Sequence, residues 1–281
     1  MKTQMRNHRF RRWGCALLLS ALGLSSLAAP AGAADKPSWP ASVQARYSLR
    51  FNGIEVGRMS IVSNTTEKTY SITGSGKVSV LFGAFEWSAS SAVSGVIEQN
   101  DPAPTVFAAD WQENKKGGAV KIGYQGRIAS DVTIKPAQRI KPDTVPLKPA
   151  DKLGTVDPMS ALLMLTKADG RPPCDRRVPI FDGNQRYDIV LTPKSPRGGA
   201  SRENVVACRI RYAPIAGHRN NEDTRSYAAN GDAEIVLARV KGSDMMVPYA
   251  VTIPTPWGTG SMVAEKIEVD TGKPARAAAI N

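Results

Sequence analysis

Asn52-Gly53 constrains this chain more than any other pair of residues. From Ala45 to Phe51 the sequence alternates, with Ala45, Tyr47, Leu49 and Phe51 on one face and Arg46, Ser48 and Arg50 on the other. Asn-Gly then supplies the two positive-φ positions of a type I′ turn, so the segment predicts a β-hairpin. A two-residue loop sets Phe51 opposite Ile54, Arg50 opposite Glu55 and Leu49 opposite Val56, apolar against apolar and opposite charges together. Further on, the apolar phase slips to Met59 and Ile61, and Gly57 is where a bulge is expected to absorb the extra residue.

The same alternation fills most of the chain. Tyr70, Ile72, Val78 and Val80 share one parity, and Phe85, Trp87, Ala89, Val93 and Ile97 share another, backed by Glu86, Ser88, Ser90 and Ser94. This is the pattern of antiparallel strands with a single buried face. Residues 106–111, 120–124 and 128–134 read as further strands, about seven in all before residue 136. A Pro-rich crossover over 135–156 follows, then one helix signal: Asp157 as N-cap, Pro158 at N1 and the apolar run Ser160 to Leu165. Strands resume at 178–181, 187–191, 206–212, 235–240, 245–253 and 260–269. With 24 Gly and 20 Pro punctuating these segments, an all-helical bundle is excluded. The expectation is a mainly β fold, a single strongly curved antiparallel sheet or open barrel wrapping one short helix over 158–167.

The first residues predict the compartment. Lys2, Arg6, Arg9, Arg11 and Arg12 precede an apolar run from Gly14 to Leu27, and Ala31-Gly32-Ala33 follows. A basic region, a short apolar run and small residues at this spacing read as a cleavable signal peptide over 1–33, leaving 34–281 as a single β-rich domain destined for the periplasm. The formal charge of +12 invites a nucleic-acid reading. Removing the leader takes away five positive and no negative charges, and the remaining +7 resides in a compartment without nucleic acid. Two cysteines remain, Cys174 and Cys208. In an oxidising compartment a pair with one possible connectivity reads as a disulfide, the alternative being two buried thiols.

Three stretches resemble a known family. They are Asp157-Pro158-Met159-Ser160-Ala161-Leu162-Leu163, then Val178-Pro179-Ile180-Phe181-Asp182-Gly183 with Arg186-Tyr187-Asp188, and Cys208 followed by Arg211-Tyr212-Ala213-Pro214-Ile215-Ala216-Gly217. Together with Tyr47-Ser48-Leu49, Gly53 and Gly57 they are similar to domain-of-unknown-function family 3108 of Gram-negative envelopes. The resemblance implies a periplasmic β-rich protein similar to the half-open barrels of lipoprotein carriers. It brings no catalytic motif, and fold alone does not fix function.

The residues themselves point to binding and away from catalysis. No Gly-x-Ser-x-Gly elbow, zinc-type His pair or P-loop is present, so no catalytic residue, metal ligand or cofactor is assigned. His218 is the one histidine after the leader, in a polar segment, and Asp110 with Glu113 offers carboxylates whose separation the sequence leaves open. If the sheet curves, Met59, Ile61, Phe82, Phe85, Trp87 and Trp111 line its concave side and form a candidate ligand surface, unless the inner helix fills it. Lys115, Lys116, Arg139, Lys141, Arg171, Arg176 and Arg177 read as basic clusters in loops, suited to peripheral contact with anionic lipid headgroups. The leading expectation is a non-enzymatic envelope protein that binds a lipid, lipoprotein or other amphiphile. The rivals are a protein-interaction scaffold for cell-wall or outer-membrane proteins without a cavity, and an envelope hydrolase.

Overall fold

The computed structural model describes residues 39, 41–80, 83–137, 139–167, 169–194, 205–240 and 245–271. The leader, its expected cleavage site and Phe82 lie outside them. The Asn52-Gly53 hairpin forms between β1 (Ser42–Phe51) and β2 (Ile54–Thr65), with both turn residues at positive φ, 48° and 82°. Phe51 faces Ile54 and Arg50 faces Glu55, but Leu49 faces Gly57, so the extra residue of the bulge is Val56. Gly57 serves another need. A Cβ there would lie 2.1 Å from the Lys77 carbonyl oxygen of the neighbouring strand, so only glycine lets the two backbones approach.

The meander continues through β3 (Thr69–Val80), β4 (Phe85–Glu98), β5 (Asp101–Glu113), β6 (Lys116–Gln125) and β7 (Ile128–Lys135). After the crossover come α1 (Pro158–Thr166), β8 (Arg176–Phe181), β9 (Arg186–Pro193), β10 (Val205–Ala216), α2 (Glu222–Ala229), β11 (Glu234–Arg239), β12 (Met246–Thr255) and β13 (Gly258–Asp270). The thirteen strands form one antiparallel sheet in which β1 lies between β2 and β13, and the edges are β7 and β8. Curvature brings those edges together into a nearly closed barrel with a seam. The turn after β8 tucks inside the β6–β7 wall: a Cβ on Gly183 would meet Val120 Cγ2 at 2.5 Å, with Ile122 and Ile134 behind it.

Residues 153–156 staple the seam. The Gly154 amide donates to the Arg127 carbonyl, the Val156 amide to Pro179 and the Phe181 amide to Val156, so this short segment bonds to both edges. It leads directly into α1. The Asp157 carboxylate caps that helix, one oxygen accepting from the Met159 and Ser160 amides at 2.9 Å each and the other from the Ser160 hydroxyl at 2.5 Å. The Ser160 hydroxyl also lies 2.7 Å from the Tyr70 hydroxyl of β3, tying the capped turn to the sheet.

The helix runs through the interior and carries two apolar clusters. Leu163 packs with Tyr70, Ile72, Val93, Phe107 and Ile122 on the β3–β6 side. Ala161 and Leu165 pack with Val178, Leu191, Ile235 and Leu237 on the β8–β11 side. Cys174 and Cys208 form the expected disulfide, with S–S 2.02 Å, and both are buried in the second cluster.

Candidate functional site

An up-and-down meander sorts its turns onto two rims. The β1–β2, β3–β4, β5–β6, β8–β9 and β12–β13 turns, together with α2, share one rim, and α1 occupies the interior away from it. At Gly74 the interior is full, because a Cβ there would meet Met159 Cε of α1 at 2.9 Å. One step toward the rim the wall opens. Met59 and Trp87 lie over Gly76, where a Cβ would sit 3.7 Å and 3.5 Å from them, and the Trp111 ring lies flat over Gly118. Met59, Phe85, Trp87 and Trp111 are half-buried on this concave face, whereas Ile61 lies deeper, against Leu162 and Leu163 of the helix, beside a void of about 50 Å³. Of the described candidate ligand residues, the helix therefore covers Ile61 and leaves the other four toward the rim.

Another cavity lies elsewhere on the same rim. Inward-facing Ile189 of β9, Ile210 and Tyr212 of β10, Ala233 before β11 and Ile253 of β12 line a space of about 560 Å³, with Thr224 and Tyr227 of α2 beside it. Such a volume suits a small amphiphile. Helix α2 stands where the sequence reads as a plain polar segment. Its N-cap Asn221 accepts from the Thr224 amide at 3.0 Å, and Glu222 and Asp223 fill the first turn, where acidic side chains favour the helix dipole. That Asn-Glu-Asp sequence is the signal that would have located it.

A second cleft of about 960 Å³ adjoins the first, and Gln185 and Arg219 border both. It opens between Val132 and Ile134 of β7, the β8–β9 turn and the crossover segment 139–147. The crossover is held across this opening by main-chain bonds. The Val145 amide donates to His218 at 2.9 Å, Gly217 to Val145 at 2.8 Å and Asn220 to Asp143 at 2.7 Å. Arg219 also pairs with Asp143 at 3.0 Å, and this guanidinium holds the Asp143 carboxyl below the usual range.

Burial governs the polar groups in this half of the barrel. Burial raises Tyr187 and Tyr212, with the nearby Asp182 adding to the effect, and their rings pack at 5.3 Å. The Tyr212 hydroxyl donates to Gln185 Oε1 at 3.0 Å. Burial also raises the Asp182 carboxyl, against the hydrogen bonds it accepts from the Gln185 and Asn184 amides. His218 Nδ1 is buried and has no partner among the described residues, so one polar atom at the cavity remains unsatisfied.

The other sequence candidates separate. Asp110 and Glu113 are both exposed and, three residues apart on one strand, point to opposite faces; Asp110 accepts a hydrogen bond from Ser90 at 2.7 Å. They are no carboxylate pair. Arg176 and Arg177 belong to β8 and not to a loop, and Arg176 is buried. Arg176 pairs with Asp169 at 2.6 Å, and Lys167 contacts both Asp169 and Asp101. Burial would raise the Asp169 carboxyl, but hydrogen bonds from Arg176 and Arg171 outweigh it and hold it well below the usual range. Arg139 and Lys141 border the seam cleft. A groove of about 740 Å³ on the outer face runs over Ser60, Ser75, Ser88 and Ser90 between Arg46, Arg58 and Lys77, and the Ser60 and Ser75 hydroxyls bond to each other at 2.9 Å. Among the described residues no group of His, Cys, Asp or Glu could hold a metal ion, and no helix is long and apolar enough to cross a membrane.

Comparison with known proteins adds a family and one fold likeness. The model of the family described as "Protein of unknown function (DUF3108)" matches residues 46–265. No curated protein matches the chain. A crystal structure of a β-barrel-like protein of domain of unknown function DUF1849 from Brucella abortus is similar at 11% identity and a TM-score of 0.44, covering 82% of this chain and 98% of that one.

Proposed function

The chain belongs to the DUF3108 family, and from that premise we propose that it is a non-enzymatic protein of the bacterial periplasm that holds the apolar part of an amphiphile, a lipid or the acyl portion of a lipoprotein, in the open half of its barrel. The observation that carries this reading is the cavity beside α2. Its walls are Ile189, Ile210, Ala233 and Ile253, and its polar groups, His218, Asn221 and Arg219, come from the segment leading into the helix. An acyl chain entering gains about 0.8 kcal/mol per methylene removed from water, while His218 Nδ1, unpartnered among the described residues, is available to a headgroup. The half-exposed wall of Met59, Phe85, Trp87 and Trp111 on the same rim extends the apolar surface. The leader supports the periplasm as the place of action, and the separation of Asp110, Glu113 and His218 supports a role without catalysis.

Native mass spectrometry of protein purified from the periplasm is the test, coupled with uptake of a fluorescent fatty acid. A reproducible lipid-sized mass on the wild type is expected. Ile210→Trp, which fills the cavity, should weaken probe uptake by about tenfold or more while leaving the melting temperature within a few degrees. Wild-type protein that is empty and takes up no probe would overturn the reading.

A further inference from the structure

The two hairpin tips beside the cavity carry side chains that neither the core nor the cavity explains. Trp257, in the β12–β13 turn, is 73% exposed, and Ile54, at the start of β2, is 70% exposed. Phe51 and Ile253 are also exposed, and the register sets Phe51 opposite both Ile54 and Gly260, with Gly260 opposite Ile253. The register therefore sets Phe51, Ile54 and Ile253 on one face of the sheet at this patch of the rim, with Trp257 in the adjoining turn, and Ile253 also lines the cavity.

The patch is held rigidly. The Asn52 amide donates to the Thr259 carbonyl at 2.9 Å, and the Thr259 amide donates back to the Asn52 side chain at 2.8 Å. The Asn52 amide group occupies the space that a Cβ on Gly258 would need, 2.3 Å away, and Gly258 has φ +141°. The Thr255 hydroxyl, bonded to the Gly258 carbonyl at 2.7 Å, accepts from the Trp257 amide and fixes the turn that projects the indole. An exposed side chain on a loose loop needs no explanation; a tryptophan and an isoleucine exposed on two interlocked turns do.

We propose that this rim docks on an anionic lipid bilayer, with Trp257, Ile54 and Phe51 entering the interfacial layer. Tryptophan at an exposed tip suits that layer, where its ring is buried while its N–H stays hydrated. Exposed cations share the rim with the acidic Glu222 and Asp223 of α2 and are available to the same partner. Lys115 in the β5–β6 turn and Arg139 and Lys141 in the crossover are exposed, and none has an ion-pair partner among the described residues. Each such cation near an anionic surface adds attraction that salt screens. Sharing Ile253 gives the arrangement its use, because an acyl chain leaving the bilayer at the patch reaches the cavity without crossing open water. Only this last step rests on the carrier reading.

The experiment is co-sedimentation of the mature protein with vesicles of phosphatidylethanolamine and phosphatidylglycerol, with fatty-acid probe uptake measured in parallel. Wild-type protein should bind, and less so in high salt. The double variant Trp257→Glu with Ile54→Glu should bind at least about tenfold more weakly, with unchanged melting temperature and probe uptake. Lys115→Glu with Lys141→Glu should weaken binding by severalfold and remove most of its salt dependence. Wild-type protein that ignores anionic vesicles, or a Trp257/Ile54 double variant that binds as well as wild type, overturns docking. So does a concentration-dependent dimer abolished by the same two substitutions, which would assign the patch to a second copy. The two readings fail separately: without docking, probe uptake persists and vesicle binding is absent, whereas without a ligand cavity vesicle binding persists and probe uptake is absent, in the wild type and in Ile210→Trp alike.

Discussion

Asp157 gives the sharpest test of how this interior is held together. Its carboxylate is fully buried and accepts from two main-chain amides and one hydroxyl at the start of α1. In Asp157→Ala the Met159 and Ser160 amides lose their acceptor at the buried start of the helix, while the Ser160 hydroxyl retains Tyr70. Two buried donors at about 1–2 kcal/mol each give an expected loss of about 2–4 kcal/mol, roughly 5–15 °C in melting temperature for a domain of this size. Asp157→Asn presents a carbonyl oxygen to the same two amides and should stay within about 1 kcal/mol of wild type. The pair also reports on charge. Burial raises the Asp157 carboxyl above its ordinary value, against the hydrogen bonds it accepts. The folded protein therefore binds this proton more tightly than the unfolded chain does. The group's contribution is fully present below the unfolded carboxylate pKa and is lost as pH rises through the folded value. The asparagine variant lacks this dependence, so thermal melts from about pH 4 to about pH 8 should show it gaining on wild type as pH rises. A loss below about 1 kcal/mol in the alanine variant, or a wild-type-minus-asparagine difference independent of pH, would refute this account of the helix start.

Two further outcomes test the sheet. Replacing both Cys174 and Cys208 by alanine opens a loop of sequence separation 34, which the chain-entropy model values at about 4 kcal/mol; denaturant melts under non-reducing conditions measure it, and a loss below about 1 kcal/mol would deny the bridge a stabilising role. Gly57→Ala drives a Cβ onto the Lys77 carbonyl and should cost about 2 kcal/mol or more, whereas Gly53→Ala, at φ +82° with open space around it, should cost about 1 kcal/mol. Equal losses in chemical denaturation would contradict the close approach of β2 and β3.

The strands were legible because each buries one face, so parity alone separates Tyr70, Ile72 and Val78 from their polar neighbours. The helix was legible because Asp157-Pro158 is a local cap that needs no tertiary context. The open part of the interior was not legible, since it depends on how far Met159 reaches toward Gly74, a contact between segments far apart in sequence. Helix α2 escaped notice because it has no buried apolar stripe, only an Asn cap and an acidic first turn. Arg176 shares its parity with Val178 and Ile180, which marked it as inward, but its charge suggested surface; the partner that permits its burial, Asp169, lies before the strand in an irregular segment. The bulge expected at Gly57 lies one residue earlier, at Val56, because the glycine answers to the neighbouring Lys77 backbone and not to the bulge.

The pairing of β1 with β13 sets the order in which this molecule can be completed. Ser42 bonds across to the strand that ends at Asp270, so the two flanks of the sheet join through residues from opposite ends of the described chain. While the polypeptide is being synthesised, β1 to β7 can assemble by local hairpins, but β1 presents an unpaired edge until β13 arrives. The hairpin that starts the fold earliest is therefore also the one that waits longest for its second neighbour. During that interval Phe51 and Ile54 stand at the end of an open strand, a state in which escort or crowding by other chains decides between closure and aggregation.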